Sequence, residues 1–424
     1  MEPTVAIIGF GTAGMNAAIG LRVAGYTGCV RVFSNTGTPP YSPILTSYYA
    51  GGRKTFEECL PWSAEEIAEL DLTVMDDCPV ERLDPASHTI HTPRGEFAYD
   101  KCLIATGATP QTFGFPGVEG EPNFKPFVLR TMADAERLRS ALEDPANKRF
   151  LVSGASMVAL KMLEACMDQG KQVALVGMLP HVLDNNALPE AAERFERGLR
   201  AKGVDLHLGQ TIAHVRRLPA DADEPSAAGR LEVTFSTGET DVFDGICVAH
   251  GMRSNMEFLP EGALQIDRAL VVDEYMRTSD PDVYAAGDVA QGLELVSGEK
   301  QIVGIWKNAA VQGACAAHAI AAEMAGRGPG PEQAFKGAIA TNTIVVDGTL
   351  FISAGAMRIT ENRRMDVSED DEMTIVRIFQ TEPDGTERLV GFNLVSDVDE
   401  EGGAAYDIGA MLTLRIEEGC RRAR

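Results

Sequence analysis

The first candidate binding site is a glycine-rich turn formed by Gly9, Gly11 and Gly14 in the pattern G-x-G-x-x-G. The turn follows a strand-like apolar run, TVAIIGF, and precedes an alanine-rich stretch that predicts a helix. In this context the first glycine permits a tight turn, the second lets the backbone approach a pyrophosphate, and the third allows close helix packing. The amino terminus of the helix would face the phosphates. We therefore predict a dinucleotide site that also includes Thr12 and Ala13; the alternative is a glycine-rich turn without a ligand.

The residues expected to hold the ribose are polar but uncharged. A carboxylate is usual about 20 residues beyond the last glycine of such a turn. This sequence has Ser34, Asn35 and Thr36 there instead. A hydroxyl or an amide can still hydrogen-bond a ribose, although without the added strength of a charged acceptor. Ser34 and Asn35 are therefore candidate cofactor-binding residues.

A second turn of the same kind follows the apolar strand that begins near residue 149. It keeps only the first glycine, Gly154, and has Ser156 and Ala159 where the other two glycines would stand. The next strand ends in Val-Gly-Met at 176–178 and offers neither an acid for NAD nor an arginine for the 2′-phosphate of NADP. The turn predicts either a second dinucleotide site, for NAD(H) or NADP(H), or a degenerate one.

The elements that must position these turns alternate between strands and helices. Two strand, turn, helix and strand units, starting near residues 4 and 149, predict doubly wound sheets, and the helix at 188–203 continues the second. The last hundred residues change to strands with few helices. We predict an α/β fold with two Rossmann-like dinucleotide-binding domains and an appended α+β domain from about residue 330.

Length, charge and cysteine spacing exclude several classes of protein. The 424 residues suffice for two or three domains, and 45% hydrophobic residues exclude wholesale disorder. A net charge of −24 disfavours nucleic acid and anionic lipid as partners. The eight cysteines are at least 19 positions apart, so no CxxC metal or redox pair exists, and they suit a reducing cytoplasm. No export signal or membrane span is expected, and no metal site.

Six segments in a fixed order resemble the FAD-dependent pyridine nucleotide-disulfide oxidoreductases. The branch with rubredoxin, ferredoxin and nitrite reductases is the most similar one. More specifically, the sequence resembles the FAD subunit of phenylglyoxylate dehydrogenase or tungsten aldehyde oxidoreductase complexes. The segments are GFGTAG (9–14), ATG (105–107), 152–161, AHGMRSN (249–255), TSDPDVYAAGDVA (278–290) and IWKNAAVQG (305–313).

The resemblance implies a glutathione reductase-like arrangement, with an FAD domain of residues 1–112 and 245–328, an NAD(P) domain of 113–244 and a C-terminal α+β interface domain of 329–424. It also implies which residues bind the cofactors. Asp288 would hydrogen-bond the ribityl or pyrophosphate part of FAD, and the helix near 308–322 would aim its amino terminus at the flavin. Trp306 would lie beside the ring or be an ordinary core residue. The implied FAD residues are Gly9, Gly11, Thr12, Ala13, Gly14, Ser34, Asn35, Pro43, Ser47, Thr106, Gly107, Gly287, Asp288 and Trp306. The implied NAD(P) residues are Gly154, Ser156, Met157 and Lys161.

Three departures from the family pattern affect the expected chemistry. The loop PYSPILTSYYAGG contains no cysteine and has Pro43 where a basic residue is expected, so disulfide reduction by a thiol there is not expected. Lys161 replaces a glutamate; it could raise the positive potential near the nicotinamide or simply face solvent. His250 replaces a threonine, and we expect it to be packed or capping rather than titrating near neutrality.

These observations together predict an FAD-dependent NAD(P)H:acceptor oxidoreductase. FAD can exchange two electrons with a nicotinamide and single electrons with an iron–sulfur centre, so the protein needs no acid, base or nucleophile, and no catalytic side chain is assigned. The expected partner is an iron–sulfur protein or subunit, and the expected assembly is a homodimer or part of a hetero-oligomeric complex. The alternatives are a free-standing NAD(P)H oxidase or small-molecule reductase, and a structural flavoprotein subunit whose NAD site does not function.

Overall fold

The computed structural model describes residues 3–119, 124–219, 229–397 and 403–422. Short elements dominate the first part of the chain. In order they are β1 (Thr4–Ile8), α1 (Thr12–Val23), β2 (Cys29–Phe33), α2 (Thr46–Ala50), a 3₁₀ turn (Glu57–Cys59), α3 (Ala64–Glu69), β3 (Leu72–Met75), β4 (Arg82–Asp84), β5 (Thr89–Thr92), β6 (Gly95–Ala98), β7 (Lys101–Ile104) and β8 (Ala108–Pro110).

The middle of the chain alternates helices with strands before a run of strands. These elements are α4 (Met132–Glu143), β9 (Arg149–Ser153), α5 (Met157–Asp168), β10 (Gln172–Gly177), α6 (Pro189–Ala201), β11 (Asp205–Leu208), β12 (Ile212–Arg217), β13 (Leu231–Phe235), β14 (Thr240–Phe243), β15 (Gly245–Val248) and β16 (Met252–Ser254). Residues 220–228 of the predicted polar loop lie outside the described residues.

The last part contains the two longest helices of the described chain and its longest strands. The elements are β17 (Leu270–Val271), β18 (Val283–Ala285), β19 (Ala290–Leu293), β20 (Lys300–Gln301), α7 (Trp306–Met324), a 3₁₀ turn (Pro331–Gln333), β21 (Thr341–Val346), β22 (Thr349–Gly355), β23 (Arg363–Glu369), β24 (Met373–Thr381), β25 (Glu387–Asp397) and α8 (Gly403–Arg422). Of the helices described, none has the length and apolar composition that a bilayer span requires.

The chain divides into two compact units, which we call the first unit and the second unit. The first unit contains Met1–Ile44, Phe56–Thr109 and Arg253–Ala340, and the second contains Leu45–Thr55, Pro110–Met252 and Thr341–Arg424. Both the predicted range 113–244 and most of 329–424 therefore contribute to the second unit. The assignment of separate domains to these two ranges stays a prediction.

A five-stranded parallel sheet in the order β18-β7-β1-β2-β3 forms the centre of the first unit. Its strands are apolar on both faces, as expected for a parallel sheet covered by helices. Val5, Ile7 and Leu103 are completely buried. Helices α1 and α7 pack closely, because a Cβ atom on Gly20 would lie only 2.8 Å from Cβ of Ala317. The sheet thus holds the carboxyl ends of β1, β7 and β18 side by side.

The second unit repeats this arrangement with a four-stranded parallel sheet in the order β11-β10-β9-β15. It also contains an antiparallel sheet in the order β21-β22-β25-β24-β23, accompanied by α8. The buried Asn393 of β25 accepts a hydrogen bond from the Leu188 N–H at 2.8 Å and so fixes the start of α6. The parallel sheets with their helices confirm the predicted α/β class with Rossmann-like regions.

Candidate functional site

In the first unit the opening turn is shaped by close backbone contacts. Gly9 has φ +105°, and a Cβ atom there would lie 2.3 Å from the Ala105 carbonyl oxygen. A Cβ atom on Gly14 would lie 2.0 Å from the Gly9 carbonyl oxygen. Both contacts exclude any side chain, so the conformation requires glycine at both positions. Packing of the polypeptide on itself accounts for Gly9 and Gly14.

Gly11 differs from these two glycines, because no described residue beyond its two chain neighbours has an atom within 4 Å of the position of its missing Cβ. Packing among the described residues therefore does not explain a glycine here, whereas close approach of a ligand would. Gly11 is also the N-cap of α1 and has no side chain to cap it, and the first turn of the helix contains no acid. The buried Thr12 Oγ1 atom has no hydrogen-bond partner among the described residues. Free N–H groups and this hydroxyl suit a pyrophosphate.

The late glycine and aspartate come to the same edge of the sheet. The Ala286 N–H donates to the Ile104 carbonyl at 3.0 Å, and a Cβ atom on Gly287 would lie 3.3 Å from Cβ of Ala13. The Gly287 N–H donates to the side-chain oxygen of Gln312 at 2.8 Å. Residues that are more than 270 positions apart in the sequence therefore meet beside one helix amino terminus.

Asp288 is held by its backbone next to the start of α7. Its carbonyl oxygen accepts a hydrogen bond from the Ser254 hydroxyl at 2.7 Å. Its carboxylate lies near Gly304, where an added Cβ atom would be 3.5 Å from Oδ1. In the first turns of α7, Trp306 Nε1 and Asn308 Oδ1 are buried without hydrogen-bond partners among the described residues. These polar atoms fit a polar cofactor such as FAD, which would satisfy them.

The ATG segment is fixed by an asparagine that the sequence analysis did not single out. The Thr106 hydroxyl donates to the Asn255 carbonyl at 2.8 Å, and Asn255 Nδ2 donates to the Thr106 carbonyl at 2.9 Å. The Asn255 N–H also donates to the Gly107 carbonyl at 3.0 Å. Asn255 is the last residue of the segment AHGMRSN, and Gln312 lies near the end of IWKNAAVQG. Neither was predicted as a site residue, although both belong to segments that carry the family resemblance.

The other predicted FAD residues are placed as follows. Ser34 is buried and its hydroxyl lies 3.1 Å from that of Thr36, whereas Asn35 is exposed. Pro43 belongs to the first unit and is partly buried, whereas Ser47 is a buried residue of α2 in the second unit. The roles of these residues in binding FAD stay predictions.

The second turn has the same backbone construction as the first. Gly154 has φ +117°, and a Cβ atom there would lie 2.4 Å from the Ala249 carbonyl oxygen. Gly9 makes the same close approach to the Ala105 carbonyl oxygen. Its N–H donates to the Val176 carbonyl at 2.9 Å. The repeat of this geometry at the carboxyl end of a second parallel sheet is typical of a second nucleotide-binding half.

The amino terminus of α5 differs from that of α1, because the chain partly caps it. Ser156 is the N-cap residue and accepts a hydrogen bond from the Ala159 N–H at 3.4 Å. Ala159 is completely buried, and Met157 begins the helix. A pyrophosphate at this turn would compete with the Ser156 hydroxyl for the Ala159 N–H. At the first turn no N-cap side chain competes in this way, because the N-cap residue is Gly11.

Lys161 lies in an ion-pair network rather than facing solvent. Its ammonium group pairs with Glu164, whose side chain is 3% exposed, and lies 4.1 Å from the centroid of the Tyr48 ring. Glu164 also pairs with Arg53 at 3.2 Å. The solvent-facing alternative for Lys161 is therefore wrong, while its role in NAD(P) binding stays a prediction.

Removing the buried carboxylate of this network should destabilise the second unit. Glu164→Ala would leave the Lys161 ammonium, 14% exposed, without its counter-charge. We expect the free energy of unfolding to fall by about 3 kcal/mol. Glu143→Ala is the matched control, because Glu143 is 52% exposed in its pair with Arg139, and its loss should cost less than about 1 kcal/mol. Urea denaturation followed by circular dichroism gives both values; equal losses would contradict the assignment.

His250 packs among aromatic rings next to the second turn. Its Nε2 atom lies 2.8 Å from the Ser153 hydroxyl, and its ring stacks on Phe113 with centroids 5.9 Å apart. The Nδ1 atom is buried without a partner among the described residues. Burial lowers the pKa of His250 below its ordinary value. The position agrees with the expectation of a packed histidine.

The lowered pKa of His250 predicts a pH-dependent contribution to stability. The unfolded chain takes up this proton more readily than the folded one, so stability is lost as the pH falls through the unfolded pKa of about 6.5. Between pH 7.5 and pH 5.5, we expect the free energy of unfolding of the wild type to fall more than that of His250→Gln, by less than about 1 kcal/mol. The difference is small because the His250 side chain is partly exposed. Urea titrations at both pH values test this. His214→Gln, at an exposed position, is the control; a relative stability that rises on acidification would contradict the prediction.

No reactive thiol is evident in the loop at 40–52, in agreement with the sequence. Cys59 is nevertheless near it, because its carbonyl oxygen accepts a hydrogen bond from the Ser42 N–H at 2.9 Å. None of the eight cysteines, all of which lie among the described residues, forms a disulfide, and seven are buried. Burial raises the pKa of Cys315 to about 12, so this thiol stays protonated.

Comparison with known proteins assigns the family. The sequence profile of the pyridine nucleotide-disulphide oxidoreductases matches residues 3–313. The chain belongs to this family. Its members bind FAD and a nicotinamide dinucleotide, and this pyridine nucleotide-disulphide oxidoreductase is accordingly an FAD- and NAD(P)-dependent enzyme. The matched range includes both glycine-rich turns and the segment with Asp288.

Two curated relatives and one solved structure illustrate the similarity. Rubredoxin-NAD(+) reductase of Pseudomonas putida is 29% identical over 297 residues, which are 69% of this chain and 74% of that protein. The NADH-dependent phenylglyoxylate dehydrogenase subunit epsilon of Aromatoleum evansii is 27% identical over 369 residues, 87% of this chain and 82% of that protein. A covalent putidaredoxin reductase–putidaredoxin complex superposes with a TM-score of 0.80 at 23% identity, covering 97% of this chain and 93% of the other. At that identity the superposition shows the fold alone.

Proposed function

We propose that this oxidoreductase transfers electrons between NAD(P)(H) and an iron–sulfur protein, with FAD bound in the first unit as the intermediate carrier. One observation carries the proposal: the same glycine turn, with matching contacts at Gly9 and Gly154, ends the first strand of each parallel sheet. A chain with two dinucleotide sites can bring a nicotinamide and a flavin together. The relatives whose names specify a rubredoxin or ferredoxin partner support the iron–sulfur acceptor.

The residues of the first unit would hold FAD without taking part in bond making. Gly11 and the start of α1 would accept the pyrophosphate, with Thr12 as an additional donor. The amino terminus of α7, near Asp288 and Trp306, would place a positive dipole where the flavin carries electrons. FAD supplies the chemistry, because it exchanges two electrons with a nicotinamide and single electrons with an iron–sulfur centre. No proton-transfer residue is needed.

We further propose that the enzyme is the FAD subunit of a larger complex. The match to the epsilon subunit covers 369 residues, so it extends beyond residue 313 into the C-terminal sheet and supports this assignment. The eight cysteines, none of which forms a disulfide in the described residues, support a location in the reducing cytoplasm.

Acceptor specificity separates this proposal from its alternatives. Purified enzyme with NADH should reduce a rubredoxin or a [2Fe–2S] ferredoxin anaerobically, and at least tenfold faster per active site than it consumes oxygen in air. Acceptor absorbance and an oxygen electrode measure the two rates. Rapid oxygen consumption without iron–sulfur reduction would instead support the free-standing oxidase. Bound FAD that no nicotinamide reduces would support the structural subunit.

A further inference from the structure

The second unit contains a cavity of about 460 Å³ at the edge of its parallel sheet. One wall is the segment around Phe127, which pairs with β15 through a bond from its N–H to the Ile246 carbonyl at 2.8 Å. Arg137 and Ala141 of α4 form a second wall, and Leu231 of β13 lies in a third. The volume is in the range of small-molecule binding sites.

This cavity is distinct from the second glycine turn, because it lies at the opposite ends of the strands. It is lined by Asp244 and Gly245, at the start of β15, and the Asp244 N–H donates to the Arg149 carbonyl at the start of β9. Gly154 follows the other end of β9. The five-residue strand between them spans about 16 Å. A ligand in the cavity would therefore leave the turn accessible.

The described residues that line the cavity carry a net positive charge, in a chain whose net charge is −24. Among these described residues Lys125, Arg137 and Arg217 are basic and Asp244 is acidic. The Asp244 carboxylate already accepts hydrogen bonds from the Lys148 and Arg149 N–H groups, at 2.7 and 2.8 Å. The site therefore suits an anion.

Arg137 is held in place before any ligand arrives. Its guanidinium lies 4.5 Å from the centroid of the Phe127 ring and donates to the Lys125 carbonyl at 3.0 Å and to the Pro126 carbonyl. These bonds use two of its five N–H groups. Burial lowers the pKa of Arg137, and the nearby Asp134 carboxylate offsets this effect only in part. A ligand carboxylate would compensate that cost through charge-assisted hydrogen bonds.

The rest of the lining is apolar and selects against a bare inorganic anion. Phe124, Phe127, Leu231 and Ile246 contribute to it, together with the ring of Pro126. Such a surface gains free energy by covering an aromatic or branched hydrocarbon group and gains nothing from phosphate.

We propose that this cavity binds a small organic carboxylate with an aromatic or branched apolar body, with its carboxylate toward Lys125 and Arg137. The site is separate from electron transfer and does not depend on the proposed function. The ligand would occupy it without displacing the dinucleotide.

Ligand-observed NMR titration of the purified FAD-containing protein tests the proposal, with phenylacetate as the probe. We expect a Kd of about 1 mM or lower. Phenylacetamide, the neutral isostere, should bind at least about tenfold more weakly because it lacks the carboxylate charge. Inorganic phosphate should also bind at least about tenfold more weakly, because it lacks the apolar body. Saturating NAD⁺ should leave the affinity for phenylacetate unchanged.

Two substitutions of lining residues test whether phenylacetate binds in this cavity. Lys125→Ala should weaken phenylacetate binding about tenfold, and Ala141→Leu should abolish it by filling the cavity from α4. Arg358→Ala, which removes one exposed positive charge elsewhere in the second unit, is the matched control and should have no effect. Equal binding of the acid and the amide, competition by NAD⁺, or unchanged binding by Ala141→Leu would each overturn the proposal.

Discussion

Gly11→Ala should produce a folded protein that has lost most of its FAD. Apart from its chain neighbours, no described residue has an atom within 4 Å of the added methyl group, so it should not disturb the fold. It would instead occupy the space where the pyrophosphate approaches the backbone. We expect the fraction of protein that retains flavin after gel filtration to fall at least tenfold. The visible absorbance relative to protein measures it.

Gly328→Ala provides the matched control. It is also in the first unit, and a Cβ atom at this position likewise has no atom of a described residue within 4 Å, apart from its chain neighbours. Flavin content should equal that of the wild type. Circular dichroism of both variants should be unchanged. Full retention of flavin by Gly11→Ala would show that the opening turn does not hold the pyrophosphate.

Asp288→Ala should give the second large loss of FAD. The backbone of Asp288 is fixed through the Ser254 hydroxyl and lies beside the start of α7, so the segment should persist without the carboxylate. The substitution removes the expected hydrogen bond between the charged carboxylate and the ribityl or pyrophosphate part of FAD. We expect the dissociation constant for FAD to rise at least tenfold.

Reconstitution of the stripped protein with FAD, followed by flavin fluorescence, gives that constant. Asp184→Ala, at an exposed position of the second unit, removes the same charge and should bind FAD like the wild type. Hydrogen exchange in the strands β21–β25 should be the same in both variants. An unchanged affinity in Asp288→Ala would remove this residue from the site.

Local patterns in the sequence were sufficient to predict the sheets that position the candidate site. The apolar runs of β1 and β9 are completely or largely buried, and each is followed by a glycine whose φ is positive. Such short strand and turn signals depend on neighbouring residues only. Most of the C-terminal strands were likewise predicted from strand-like segments of the sequence.

Elements whose signals are weak in the sequence were not predicted. Helix α4 depends on a capping box between Thr131 and Asp134, and its apolar face is short. Strand β23, RRMDVSE, is mostly exposed at the edge of its sheet, so it has no buried face to give a pattern. Helix α4 and strand β23 can be identified only from the elements that they pack against, which the local sequence does not reveal.

The environment of individual side chains depends on contacts between distant segments. The partners of Lys161 are Glu164, one turn away, and Tyr48, which is 113 positions earlier in the sequence. The contacts of Asn255 with Thr106 span 149 positions. Periodicity and spacing carry no information about the pairs that join distant segments, such as Lys161 with Tyr48 and Asn255 with Thr106. This explains why the motifs were identified while the contacts that support them were not.

Anaerobic titration of the purified protein with NADH and with NADPH, followed through the visible absorbance of the flavin, tests whether bound FAD accepts electrons from a nicotinamide. We expect a yellow protein whose flavin band is bleached by about one equivalent of at least one of the two nucleotides. A protein purified and reconstituted without any flavin absorbance, or a flavin that neither nucleotide reduces, would contradict it.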